Sequence, residues 1–247
     1  MEQTPPTEPP ADPSASKSNK TEMLPLFPLG TVLVPEMSLS LHVFEPRYRQ
    51  LMSDLLGENS QPTAGAPMFG VVALRQGWEV GELSDVHEVG TTARITDIVP
   101  HADGRCDVAA LGDRRFVIES IDTTSQPYLV AEVHYLGEPD GDIASGDVAA
   151  ARQAWASHLA ALSAISSGSL QVSEISPPGG SDRSLSYAIA ELPSLPLEDR
   201  QLLLACPDTA TRLSAGRRIL RRETILVRHL RAIPAPASAF RSGNRRG

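Results

Sequence analysis

Few residues in this 247-residue chain have types and spacings suited to covalent or metal chemistry. Its two lysines, Lys17 and Lys20, sit in a Pro-, Ser- and Thr-rich head. A phosphate-binding loop of the GxxxxGK[ST] type needs a lysine to reach nucleotide phosphates, and a Ser-Lys dyad needs one whose burial lowers its pKa. Neither can be assembled from the rest of the chain. The six histidines (His42, His87, His101, His134, His158 and His229) form no HExxH and no other short metal-ligand spacing. No GxSxG elbow marks a nucleophilic serine. Cys106 and Cys206 stand alone without a CxxC, and read as buried thiols in a reducing, cytoplasmic setting. The expectation is a chain with no catalytic residue, no cofactor and no metal.

The residues suited to recognition are more numerous. Phe44-Glu45-Pro46-Arg47-Tyr48 closes a proline-rich stretch from Leu24 to Met52. One reading is architectural: Phe44 fills the end of a barrel, and Glu45 and Arg47 share hydrogen bonds that fix a strand-to-helix corner at Pro46. The other is a peptide groove made by Phe44, Tyr48 and the rim residues Pro25, Phe27 and Pro28, since aromatic anchors carry much of the affinity in peptide recognition. Arg114 and Arg115, within Gly112–Phe116, are read as a tight turn, either a solvated hairpin tip or an anion or partner contact.

Charge is unevenly spread. From Arg212 onward ten arginines face one acid, Glu223, a net of +9 in a chain of net charge −8. Arg217, Arg218, Arg221, Arg222 and Arg228 fall on one half of a helix, opposite Leu213, Ile219, Leu220, Leu226, Val227, Leu230 and Ile233, with Ile225 the exception. That face is either solvated or an anion, partner or nucleic-acid contact.

These side chains must be held by two kinds of element. Short strands are expected at Met68–Arg75, Val89–Val99, Cys106–Leu111, Phe116–Ile121 and Tyr128–Leu136, with turns between them, which together suggest a barrel or closed sheet. One helix interrupts them, from Pro46, a proline at the first helical position, to about Leu56. After an acidic, Gly-rich linker at 138–146 the period becomes helical. Helices are expected from Asp147 (a candidate N-cap) to about Ser166, from Asp182 to about Leu192, from Pro196 or Leu197 to about Cys206, and from Asp208 or Thr209 to about Ile233. Residues 1–22 and 234–247 read as a disordered head and a flexible basic tail. No apolar run approaches the roughly 18 residues of a membrane span.

Several motifs in order carry a family resemblance: the Leu24–Met52 opening, Phe69-Gly70-Val71-Val72, Gly90-Thr91-Thr92-Ala93-Arg94-Ile95, Asp103-Gly104-Arg105 with Gly112-Asp113-Arg114-Arg115-Phe116, Pro127–Val133 (PYLVAEV), Glu191-Leu192-Pro193 and Arg200–Leu203 (RQLL). Together they resemble the Lon protease N-terminal, substrate-binding domain from Leu24 to about Arg231. The resemblance implies an α+β fold, a PUA-like β-barrel over 23–137 with one embedded helix, followed by a C-terminal helical bundle over 147–233. It implies binding of unfolded or degron-bearing polypeptides, or a protease or chaperone partner. With no motor or peptidase motif present, it implies a standalone, non-catalytic member, an adaptor or quality-control factor. The alternative is an RNA-binding module using the barrel and the Arg-rich helix.

Overall fold

The computed structural model describes residues 21–57, 66–75, 85–165 and 180–230. The expected disordered head, the basic tail and the last turn of the final helix fall outside these residues, apart from Thr21 and Glu22. The fold is α+β. Among the described residues six strands come first, β1 (Glu22–Leu29), β2 (Ser38–Val43), β3 (Met68–Ala73), β4 (Val89–Pro100), β5 (Cys106–Asp122) and β6 (Val130–Tyr135), with α1 (Pro46–Leu56) between β2 and β3. The described helices that follow are α2 (Asp147–Ile165), α3 (Asp182–Glu191), α4 (Leu197–Ala205) and α5 (Thr209–Leu230).

The sheet order is β2-β5-β4-β3-β1-β6, and β6 also pairs with the C-terminal half of β5. The pairings therefore run from β5 through β4, β3, β1 and β6 back to β5, with β2 added alongside. Among the described strands, β1 and β3 pair in parallel and the other pairs are antiparallel. Strand alternation sends Leu24 and Leu26 to one face with Val72, Phe116 and Val133, and Phe27 to the other with Phe69, Val71, Tyr48 and Leu51. A third cluster lies among the helices, joined by Val32 and Val34 of the β1–β2 connection and by Ala73 of β3.

β5 corrects the expectation of two strands and a tight turn. Gly112-Asp113 carries a turn-like composition, yet the backbone stays extended through a bulge. Thr91 pairs with Arg115 and Ala93 with Gly112, so one residue of β4 faces two of β5. The Thr92 hydroxyl bridges the bulge, accepting from Arg114 N at 3.0 Å and donating to Arg114 O at 3.2 Å. Gly112 is needed because a Cβ there would collide with the Val34 carbonyl.

The helix boundaries follow local chemistry. Asp208 Oδ1 accepts from Thr211 N at 2.6 Å and caps α5, while the Ser181 hydroxyl accepts from Ser184 N at 3.2 Å and caps α3. Asp147 sits in the first turn of α2 and pairs with Arg217 at 3.6 Å. Leu226, placed by angle on the apolar half of α5, is exposed. Val227, the next residue, is fully buried, so the apolar angle alone does not give burial. No described helix is long and apolar enough to cross a membrane.

Candidate binding groove and the arginine joint

The Phe-Glu-Pro-Arg-Tyr segment sits at the step from β2 into α1. Glu45 is extended, Pro46 takes the first helical position, and Tyr48 N and Arg49 N both donate to Glu45 O. Arg47 donates to Glu45 Oε2 from Nε at 2.9 Å and from Nη2 at 2.6 Å. The shared-hydrogen-bond corner is therefore present. The side chain that fills it is not Phe44 but Tyr48.

Tyr48 is buried and stacks on Phe27 with ring centroids 4.0 Å apart, and Arg47 lies over its outer face at 4.7 Å. Burial pushes the Tyr48 phenol up, opposed in part by Arg47, so it stays neutral at physiological pH. Phe44 is 59% exposed and lies beside the His42 ring at 6.2 Å. The cause is strand alternation: Val43 points into the core and takes the place expected for Phe44.

A cavity of about 300 Å³ opens here, with Phe27, Pro28, Leu41, Phe44 and Tyr48 among its lining. Of the five expected groove residues, four share this wall. Pro25 does not; it is partly buried and pairs with Val130 of β6.

The arginines separate into two groups. Arg115, expected at a solvated tip, is 1% exposed. Its guanidinium donates to Glu138 Oε1 at 2.6 Å, to Leu204 O and Cys206 O at 2.6 Å, and to Gly137 O at 3.1 Å. Arg212, counted only as part of the basic end, is fully buried over the Tyr187 ring, 4.0 Å from its centroid, and 3.5 Å from Glu138 Oε2. Glu138 Oε2 also accepts from the Tyr187 hydroxyl at 2.6 Å. The expected linker thus begins with a residue that ties the sheet to the helices. Arg115 and Arg212 are consumed by that joint and cannot meet an anion.

Arg114 is exposed and lies over Tyr135 at 3.9 Å. Arg222 pairs with Asp199 and with Glu223, and Arg217 with Asp147. Arg218 and Arg221 are exposed on α5.

One grouping had no signal in the sequence. His42 Nδ1 lies 2.6 Å from Asp107 Oδ1, and His101 Nε2 lies 2.8 Å from Asp107 Oδ2. His42 precedes its partner by 65 positions, so only the β2–β5 register could have shown it.

Three comparisons bear on what this architecture is. A model of the ATP-dependent protease La (LON) substrate-binding domain matches residues 23–222. Lon protease 2 of Syntrophobacter fumaroxidans is 26% identical over 199 residues, which is 80% of this chain and 24% of that protein. Lon protease of Flavobacterium johnsoniae is 29% identical over 121 residues, 48% of this chain and 14% of that protein. The chain therefore spans under a quarter of the length of either relative. Among solved structures, a Lon N-terminal domain protein from Xanthomonas campestris superposes with a TM-score of 0.56 at 25% identity, covering 78% of this chain and 95% of that one. The N-terminal domain of a Mycobacterium avium complex Lon protease shares the fold at 17% identity, with a TM-score of 0.53, over 83% of this chain and 98% of that one.

Proposed function

Because the chain belongs to the LON substrate-binding domain family, matched over residues 23–222, we propose that it is a non-catalytic module that captures polypeptides at the groove between β2 and α1. The observation that carries this reading is Phe44, an aromatic side chain 59% exposed at a cavity whose wall joins buried Phe27 and Tyr48 to the polar His42, Glu45 and Arg47. An exposed aromatic beside a preformed apolar wall is the anchor that peptide recognition uses. The cavity, about 300 Å³, has room for one or two apolar side chains rather than a folded surface.

β2 lies at the end of the sheet order, and its residues Leu41 to Val43 line the same cavity. An extended segment laid along that edge gains main-chain hydrogen bonds while one side chain enters the pocket. Unfolded or degron-bearing chains supply such segments. The role proposed with it is that of an adaptor or quality-control factor in the cytoplasm, passing captured chains to a separate protease or chaperone.

The test is retention of one model protein in denatured and native forms, by wild type and by Phe44→Ser. Selective retention of the denatured form, lost in the variant, supports the reading; equal and negligible retention of both forms sinks it. RNA retention that weakens steeply with salt would favour the α5 arginines instead.

A further inference from the structure

We propose that His42, His101 and Asp107 form a surface site for one divalent metal ion of the zinc class. Their ligand atoms all lie within 4.8 Å of one another. Two imidazoles and a carboxylate match the donor preference of Zn²⁺ and its neighbours, whereas Mg²⁺ and Ca²⁺ prefer oxygen alone.

The placement is built into the sheet. His42 of β2 and Asp107 of β5 are direct cross-strand partners. His101 enters from the β4–β5 hairpin, where His101 N donates to Arg105 O at 2.8 Å and Gly104, at φ +80°, makes the turn. Three positions fixed by ladder hydrogen bonds lower the ordering cost of binding. Cys106, the nearest thiol in sequence, points to the opposite face and is buried.

The hydrogen-bond pattern orients the nitrogens. Arg105 Nη1 faces His42 Nε2 at 3.4 Å, which leaves His42 Nδ1 toward Asp107. Asp107 gives one oxygen to each imidazole. An ion at the centre takes the place of the protons along those two lines; the neutral His42 ring then carries its proton on Nε2, and Arg105 Nη1 turns away from it while Asp103 keeps hold of the guanidinium. Bonds of about 2.0–2.2 Å then require small side-chain rotations, which all three exposed residues can make. Charge is favourable on balance: Asp97, Asp103 and Asp107 surround the site against Arg105 and Arg49, and Arg105 is held on Asp103 at 2.6 Å. Three protein donors leave the remaining coordination positions to water or to an incoming group. His42 also lines the groove, so the ion would sit beside bound polypeptide.

The experiment is calorimetric titration of the tag-free full chain with Zn²⁺, repeated with His101→Gln and Asp107→Asn. All three residues are exposed, and a cooperative urea transition without metal checks that both variants fold. One equivalent should bind, with affinity reduced about tenfold or more in either variant. Independently, NMR of the wild type should show the His42 and His101 imidazole signals moving on addition of Zn²⁺ while the other four histidines stay in place. Absence of saturable binding, affinity unchanged in both variants, or shifts confined to other histidines would overturn the assignment.

Discussion

Arg115 Nε donates to Glu138 Oε1 at 2.6 Å from a position in the middle of β5 that solvent does not reach. Glu138 in turn accepts from Tyr187 on α3 and faces Arg212 on α5. The strand, the segment leaving the sheet and two helices therefore meet on one carboxylate. Two arginines around one glutamate leave positive charge in excess, and the carbonyls of Gly137, Leu204 and Cys206 take up the remaining guanidinium donors.

Arg115→Ala should therefore be severely destabilising. Removing one partner of a buried ion pair while the other stays in place costs about 3–5 kcal/mol. Urea unfolding measures it, and the same loss is not expected from Arg218→Ala on the exposed face of α5. A difference of less than about 1 kcal/mol between the two variants would contradict the joint, since exposed substitutions usually stay within ±0.5 kcal/mol.

Phe44 and Tyr48 should behave oppositely. Phe44→Ser removes an exposed side chain and should change stability by less than about 0.5 kcal/mol. Its effect on polypeptide retention should exceed about 1 kcal/mol, or roughly fivefold in affinity. Tyr48→Ala removes a buried ring stacked on Phe27 and should cost about 3–5 kcal/mol of stability. Thermal melts alongside binding curves separate the two effects.

Gly112→Ala should also destabilise. A methyl group there meets the backbone carbonyl of Val34, which two hydrogen bonds hold in place nearby: Gly112 N to Met37 O and Glu36 N to Gly112 O, both 2.8 Å. Because the obstacle is main chain, relief requires a backbone shift, and a loss of about 1–3 kcal/mol is expected from equilibrium unfolding.

His158 should give the fold a pH dependence. It is fully buried, with Nε2 2.9 Å from the Ser194 hydroxyl and Nδ1 3.3 Å from that of Thr224. Burial pushes its pKa below the ordinary 6.5. The unfolded chain then takes up a proton near pH 6.5 that the folded chain refuses. Stability should be full above that value and decline as pH falls through it. The hydrogen-bonded Asp107 carboxylate, held low by His42 and His101, loses its contribution only below its ordinary 3.8, in a separate window. Urea midpoints between pH 7.5 and 5, which bracket the ordinary imidazole value, should fall for wild type and stay flatter for His158→Gln.

Much of this protein is written locally. Proline at position 46, the caps at Asp208 and Ser181 and the period of α2 to α5 all act within a turn or two of chain, so their elements follow from sequence. The Glu45–Arg47 hydrogen bonds span two residues and were legible for the same reason. Burial and pairing are different, because they depend on what arrives from elsewhere. The Gly112-Asp113 bulge looks like a turn until β4 supplies Thr92 to bridge it. Arg115 looks solvated until Glu138 and the end of α4 close over it. Val43 rather than Phe44 enters the core because the β2–β5 register sets which face each residue takes, and the same register brings His42 to Asp107. Sequence alone determined the elements, their order and the absence of lysine from the chain beyond Lys20. Tertiary structure decided which arginines are interior, which aromatic is exposed and which histidines meet, because cross-strand register is a long-range outcome that no local propensity encodes.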